Sequence, residues 1–337
     1  MNVLVTGASG FIGGHVAEAL VAAGHAVTAL VRPTSDRALL ERLGVSFAVG
    51  DVTDLGSLER AMSGIDSVVH TAAVVSMYGP WEDYRRVGVA GTQNVVDAAS
   101  GARVSRFVHV GSIAVYGFRH PSGVSLHEGM PLDLDPEPWN HYVREKALSE
   151  KIVWSAHEER RLAVTSIRPS VVVGPRDRNV VTRFMRMLDL PLNGTIGTGK
   201  NRVGLIVVQD LAELVVRALG ADVAVGKAYN ASGTETITQR EIYALYAREA
   251  GKRLQPFFAP YPLAFAGTRL LEGVYRLAGR REEPPFAKIG VPIFGKDFTV
   301  DTELAARDLG FRATSSYEWA IRDSVRFYLD AERRRAS

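Results

Sequence analysis

Tyr142 and Lys146 stand four positions apart in Tyr142-Val143-Arg144-Glu145-Lys146, and no other tyrosine in the chain precedes a lysine at that spacing. On a helix, residues four apart share a face, so a phenol and an ammonium can enter one site. A phenol with an ordinary pKa of about 10 exchanges protons poorly at neutral pH, but a neighbouring cation favours the phenolate. A surface pair on a helix would share this spacing, yet this pair opens a long helical pattern just after a candidate strand. Ser112, in Val110-Gly111-Ser112-Ile113, closes the preceding strand pattern Phe107–Val110. A hydroxyl there can hydrogen-bond a carbonyl oxygen as negative charge develops on it. The third group is Thr6-Gly7-Ala8-Ser9-Gly10-Phe11-Ile12-Gly13, with glycines at i, i+3 and i+6. Strand, glycine turn and helix together form a dinucleotide cradle. Gly7 permits the turn, Gly10 the approach of a pyrophosphate, and Gly13 the packing of helix on strand. The free N–H groups at the helix start then face the phosphates.

These groups need a parallel sheet to bring them together. Short β-branched runs at Val3–Val5, Val27–Val31, Val45–Val49, Ser67–His70, Phe107–Val110 and Ala163–Ile167 alternate with helical patterns. The helices are expected near Phe11–Ala23, Asp36–Leu43, Leu55–Met62, Tyr84–Ala99 and Tyr142–Glu159. That rhythm predicts an α/β chain with a doubly wound parallel sheet. Residues 1–170 are read as the dinucleotide-binding domain. Residues 171–337, where Gly and Pro interrupt the rhythm, are read as a smaller α+β substrate region with some segments returning to the first domain. Helices are expected there near Asp210–Leu219 and Gln239–Ala250. The apolar stretch Phe257–Leu277 is read as a core or lid helix, or as one that lines an apolar substrate pocket or touches a membrane surface, although Arg269, Glu272 and Arg276 interrupt it.

The composition narrows the function classes. With 337 residues, 46% apolar and 23% charged, the chain reads as an ordinary globular protein. A net charge of +3 is too small to call for nucleic acid. The absence of cysteine excludes disulfides and thiolate chemistry, and the 8 histidines lack the paired spacing of a metal site. The first strand starts near Asn2, so no signal peptide is expected, and no uncharged apolar run reaches membrane-spanning length. A cytoplasmic enzyme without stable membrane insertion is the expectation.

Taken together, the motifs resemble the short-chain dehydrogenase/reductase superfamily in its extended branch, which holds epimerase/dehydratase and 3β-hydroxysteroid dehydrogenase-like members. Thr6 to Gly13 resembles the TGxxGxxG turn, Ser112 the serine of SSxxVYG, and Tyr142 with Lys146 the YxxxK pair. The resemblance implies catalysis by Ser112, Tyr142 and Lys146, with Tyr142 and Lys146 also binding the cofactor, Lys146 at the nicotinamide ribose. It further places Asp51 and Val52 at the adenine and Ala72 and Ala73 along the cofactor. Pro169, Ser170 and Val171 fall beside the nicotinamide. Two departures stand out. Gly88 occupies the first Asn of the family's NVxGTxN helix, and Gly111 the first of its paired serines. Members of the branch often pair through the helices flanking the active-site strand, which admits a homodimer.

NAD sites place Asp or Glu at the end of the second strand, about 20 residues past the glycines. Here the strand ends in Arg32, with no carboxylate before Asp36. Arg32, assisted by Arg37, suits a 2′-phosphate, so NADP is expected over NAD. Sugar-nucleotide members grip diphosphate with the arginine of RDFxYVxD. Aligned on Asp210, that position is Val203, with Arg202 one residue away and turned elsewhere on a strand. The expected function is therefore NADP-dependent reduction of a ketone, or oxidation of a secondary alcohol, on a hydrophobic small molecule. The alternative is a nucleotide-sugar epimerase or dehydratase with tightly bound NAD. A cofactor sensor on the same fold is expected to lack the tyrosine or the lysine, and both are present.

Overall fold

The computed structural model describes residues 1–74, 76–191 and 193–336. Seven parallel strands form the central sheet: β1 (Asn2–Thr6), β2 (Ala26–Val31), β3 (Ser46–Val49), β4 (Ser67–His70), β5 (Arg106–Val110), β6 (Val164–Pro169) and β7 (Lys227–Ala231). Their spatial order is β7-β6-β5-β4-β1-β2-β3. The order reverses at β1, which pairs with β2 (Val5 opposite Ala29) and β4 (Val5 opposite Val69). Such a reversal opens a crevice beyond the carboxyl ends of the strands. Continuous apolar runs form the central strands because helices cover both faces; Val3, Leu4, Val5, Val68 and Val69 are fully buried.

The first helices are α1 (Phe11–Ala22), α2 (Ala38–Arg42), α3 (Leu55–Ala61), α4 (Gly91–Gly101) and α5 (His141–Glu158). The pattern expected as one helix over Tyr84–Ala99 has a different winding. A turn at Trp81–Asp83 leads into a π-helical segment, Tyr84–Ala90, before α4 begins. Wide turns of this kind release backbone carbonyls to other donors, and they favour functional sites. Here the Gly88 carbonyl accepts from Thr92 Oγ1 at 2.6 Å and from Ser149 Oγ at 2.9 Å.

The C-terminal half supplies α6 (Val180–Leu188), α7 (Val208–Gly220), α8 (Gln239–Glu249) and α9 (Tyr261–Leu277), with several two-stranded pairs. β7 comes from this half and extends the main sheet, and α7 packs against α1. The rest gathers around a second core, in which the Phe184 and Tyr246 rings stack 4.0 Å apart. A capping box of Thr238 and Glu241 starts α8. Among the described residues, no helix is long and apolar enough to cross a membrane.

The edge strand β7 is tied down electrostatically. Lys227 Nζ and Tyr229 Oη donate to Asp308 Oδ2 at 2.7 and 3.1 Å, and Arg307 Nε donates to Oδ1 at 2.9 Å. The Lys227 bond foremost holds the carboxyl down from 3.8 to about 2, with Arg307 and Tyr229 adding to it against the cost of burial. A depressed folded-state pKa contributes stability that is present above 3.8 and lost as pH falls toward about 2. Asp308→Asn should therefore lower Tm at neutral pH. In thermal scans across the acid range, the gap to the parent should close below that window.

Candidate active site

The nucleotide side of the crevice is built by backbone. Gly7 has φ +72°, and Gly10 N–H donates to its carbonyl at 2.9 Å, closing the turn. A Cβ at Gly13 would collide with the Gly7 carbonyl and lie 2.7 Å from Thr71 Oγ1. Gly7, Gly10, Phe11, Ile12 and Gly13 line a cleft at the amino end of α1. Thr6 lies behind the turn, and its hydroxyl links two strands. Ala72 N–H donates to Thr6 Oγ1 at 3.3 Å, and Thr6 Oγ1 shares a 2.7 Å bond with His70 Nδ1. His70 Nε2 meets Thr92 Oγ1 at 3.0 Å, and Thr92 donates onward to the Gly88 carbonyl. Since Thr92 spends its proton on Gly88, His70 must donate through Nε2 and accept from Thr6 at Nδ1. That neutral tautomer agrees with burial, which pushes His70 well below its usual pKa, helped by His109 and Lys146.

Arg32, Asp51, Val52, Ala72 and Ala73 line the same cleft, joined by two residues that the sequence reading missed, Ser35 and Arg86. Ser35 closes a turn on Arg32: Arg32 N–H donates to Ser35 Oγ, and Ser35 N–H donates to the Arg32 carbonyl, both at 3.0 Å. Burial raises the Asp51 carboxyl, but two hydrogen bonds from Thr53 and the charges of Arg32 and Arg86 bring it below the ordinary value. Arg37 Nη2 donates to the Arg32 carbonyl at 3.4 Å. Its guanidinium lies 5.5 Å over the Phe47 ring, outside the cleft lining. The cradle fits a dinucleotide: a Cβ would block the turn, amide donors stand at a helix start, and two cations flank the far end.

Phe11, Ile12, Thr71, Ala73 and Asn179 line both this cleft and a second cavity. Ser112, Tyr142, Lys146, Pro169, Ser170 and Val171 all face that second cavity. The fold thus brings the three catalytic candidates to one space at the strand ends. Ser112 sits at the end of β5 and accepts from Ala114 N–H at 3.1 Å, which leaves its O–H to donate. Lys146 is 5% exposed, and its Nζ lies 5.6 Å from the centre of the Tyr142 ring. Burial opposes the Lys146 charge, but Glu145 and Tyr142 outweigh it and raise the ammonium above its ordinary range. Behind Ser112, Arg168 donates to Glu150 at 2.5 and 2.8 Å and to Tyr116 Oη at 2.8 Å. Tyr116 donates in turn to Asn230 Oδ1 at 2.7 Å. This buried chain ties α5 to the ends of β6 and β7 and holds the floor of the site.

The cavity wall is largely apolar, from Met77, Phe118, Leu126, Val180, Ile293 and Phe298. None of these residues belongs to Phe257–Leu277, a stretch whose readings include lining the pocket. Helix α9 turns Phe265 onto Trp139 and Tyr275 onto Tyr78. Leu263, Leu270, Val274 and Leu277 on its other side are exposed. Periodicity identified the helix but could not say which face would be covered. Arg202 donates to both oxygens of Asp297 at 2.9 and 2.7 Å, and Val203 is buried in the second core. Arg183, at the cavity edge, is bidentate to Glu283.

Residues 3–232 match the profile of the NAD dependent epimerase/dehydratase family. The chain belongs to this family. It is an NAD(P)-dependent enzyme of the extended short-chain dehydrogenase/reductase superfamily, and its relatives include ketoreductases, sterol dehydrogenases and a 4-epimerase. The 2-alkyl-3-oxoalkanoate reductase of Shewanella oneidensis is 28% identical, spanning 94% of this chain and 84% of its own length. Sterol demethylase protein B of Methylococcus capsulatus is 30% identical, spanning 97% of this chain and 98% of its own. The crystal structure of Thermus thermophilus UDP-glucose 4-epimerase in complex with NAD superposes with a TM-score of 0.72 at 26% identity, covering 98% of this chain and 100% of that one.

Proposed function

We propose that this enzyme is an NADP-dependent ketoreductase or secondary-alcohol dehydrogenase for a hydrophobic small molecule. The observation that carries the reading is the shared cavity. Ser112, Tyr142 and Lys146 face an apolar-walled space continuous with the dinucleotide cleft. An epimerase of sugar nucleotides needs a cation for diphosphate, and here Arg202 and Arg183 are each held bidentate by a carboxylate. A relative named for reducing 2-alkyl-3-oxoalkanoates acts, by that name, on a ketone bearing apolar chains, which agrees with this wall.

NADPH, held by residues 6–13, Arg32, Asp51, Val52, Ala72 and Ala73, supplies a hydride from its nicotinamide when bound. In the reductive direction the carbonyl carbon gains that hydride. The carbonyl oxygen takes the proton of the Tyr142 phenol, and the phenolate regains one from water. Ser112 donates to the same oxygen and orients it. Lys146 stabilises the phenolate and holds the nicotinamide ribose, and Pro169, Ser170 and Val171 form the wall beside the ring. Residues 1–170 supply the cofactor half and all three catalytic groups; residues 171–337 add Val180, Ile293 and Phe298 to the substrate wall and return β7 and α7 to the first domain.

Mixing enzyme, NADPH and a panel of cyclic and long-chain ketones should consume the near-ultraviolet absorbance of the reduced nicotinamide. Turnover of a nucleotide sugar without net redox, and of no ketone, would overturn the reading. The cofactor preference has its own test. Arg32→Glu removes a charge-assisted contact to the 2′-phosphate, so NADP binding should weaken roughly tenfold to a hundredfold. NAD binding should hold or improve in the same titration. Equal losses for both cofactors would remove the role assigned to Arg32.

A further inference from the structure

Gly88 and Glu145 each depart from what their surroundings lead one to expect, and they meet. Glu145 lies between Arg144 and Lys146 in the sequence, yet it is 1% exposed. Its carboxylate packs against the π-helical segment where Gly88 presents no side chain. A Cβ at Gly88 would stand only 2.5 Å from Glu145 Cδ. A larger residue at 88 would therefore force the Glu145 carboxylate out of this position. From this position Glu145 Oε2 faces Lys146 Nζ at 3.5 Å, and that oxygen has no hydrogen-bond partner among the described residues. The other oxygen, Oε1, lies 3.4 Å from Ser149 Oγ, whose proton goes to the nearer Gly88 carbonyl.

We propose that Glu145 is the positioning residue of the active-site lysine: its buried carboxylate, seated in the space left by Gly88, fixes the Lys146 ammonium over the Tyr142 ring. Every other group facing the lysine is a poor counter-ion. On α5 itself this is Tyr142. Tyr84 and Gly88, on the π-helical segment, lie against Glu145. β4 and β5 contribute His70 and His109, both neutral. Burial, with Lys146 and Arg168, pushes His109 down to about 3. Glu150, one turn further along α5, is engaged by Arg168. A cation this deeply buried stays charged only beside a paired, oriented anion. Glu145 acts through Lys146, so removing its charge alters where the lysine titrates as well as where it sits.

This inference rests on the role given to Lys146 above, and the experiment separates the two. Glu145→Gln keeps the shape and removes the charge. The alkaline limb of kcat, and of NADP binding followed by titration calorimetry, should both move to lower pH by about one unit, the size of a single lost charge interaction. A purely structural role would lower both quantities at every pH and leave the limb in place. A limb that coincides with the parent's overturns the proposal. Should the glutamine variant not fold, the same limb is read on Glu145→Asp, which keeps the charge but withdraws it by one methylene; an unmoved limb overturns the proposal there too. The exchange gives a second readout. Gly88→Asn alone should weaken NADP binding by displacing Glu145, and Gly88→Asn with Glu145→Ser, which relieves the clash but leaves Lys146 without its anion, should lose less than the two single losses combined without regaining the parent's affinity. Additive losses would contradict the shared space. Binding needs no turnover, so a parent enzyme that reduces no ketone would sink the proposed function without touching this test.

Discussion

Tyr142→Phe lowers kcat by roughly 10²-fold or more, the contribution expected of a positioned general acid. The substitution removes one oxygen and keeps the ring beneath Lys146. Cofactor affinity should therefore remain near that of the parent, because the cradle at Gly7, Gly10 and Gly13 lies on the other side of the crevice. The separation of the two quantities is the informative part. A loss confined to kcat identifies the phenol as the proton donor. Equal loss of cofactor binding would mean that the ring, rather than the hydroxyl, supports the site. An unchanged kcat would remove Tyr142 from the chemistry altogether.

Gly13→Ala should act at the opposite end with comparable force. The added methyl collides with the Gly7 carbonyl and meets Thr71 Oγ1 at 2.7 Å, so α1 must move away from the turn after β1. Both neighbours are backbone or backbone-tethered, since Thr71 Oγ1 donates to the Thr6 carbonyl at 2.7 Å. Relief by rotation of a flexible side chain is therefore closed. A displacement of about 1 Å at a binding cradle can cost around 10²-fold, and a loss of that order in NADP affinity is expected by titration calorimetry. Circular dichroism should show the helix content retained. Affinity equal to the parent's would show that the turn does not hold the pyrophosphate.

What could be read from the sequence divides along a physical line. The glycine turn, the Tyr142/Lys146 face and Ser112 at a strand end are local: each follows from one turn, one helix or one strand. The first six strands of the sheet were legible for the same reason, as buried parallel strands carry unbroken apolar runs. Contacts between distant segments were not. Arg86 reaches the cleft beside Asp51 from a π-helical segment whose winding no periodicity announces. Arg37, one helix start away from Arg32, turns instead to Phe47. Arg202 was expected to face elsewhere, but only the fold shows Asp297 as its partner. Glu145 carried the least signal, since a glutamate between two cations on a helix reads as a solvated charge. The departure at Gly88 was visible, but its meaning required knowing what fills the gap.

Transfer of label from NADPH deuterated at the transferring position tests the central claim most directly. With a hydrophobic ketone, one deuterium should appear on the carbinol carbon of the released alcohol for each oxidised cofactor released. Label that never leaves the cofactor pool, alongside a nucleotide sugar epimerised or dehydrated with no net oxidation of the cofactor, would contradict the account.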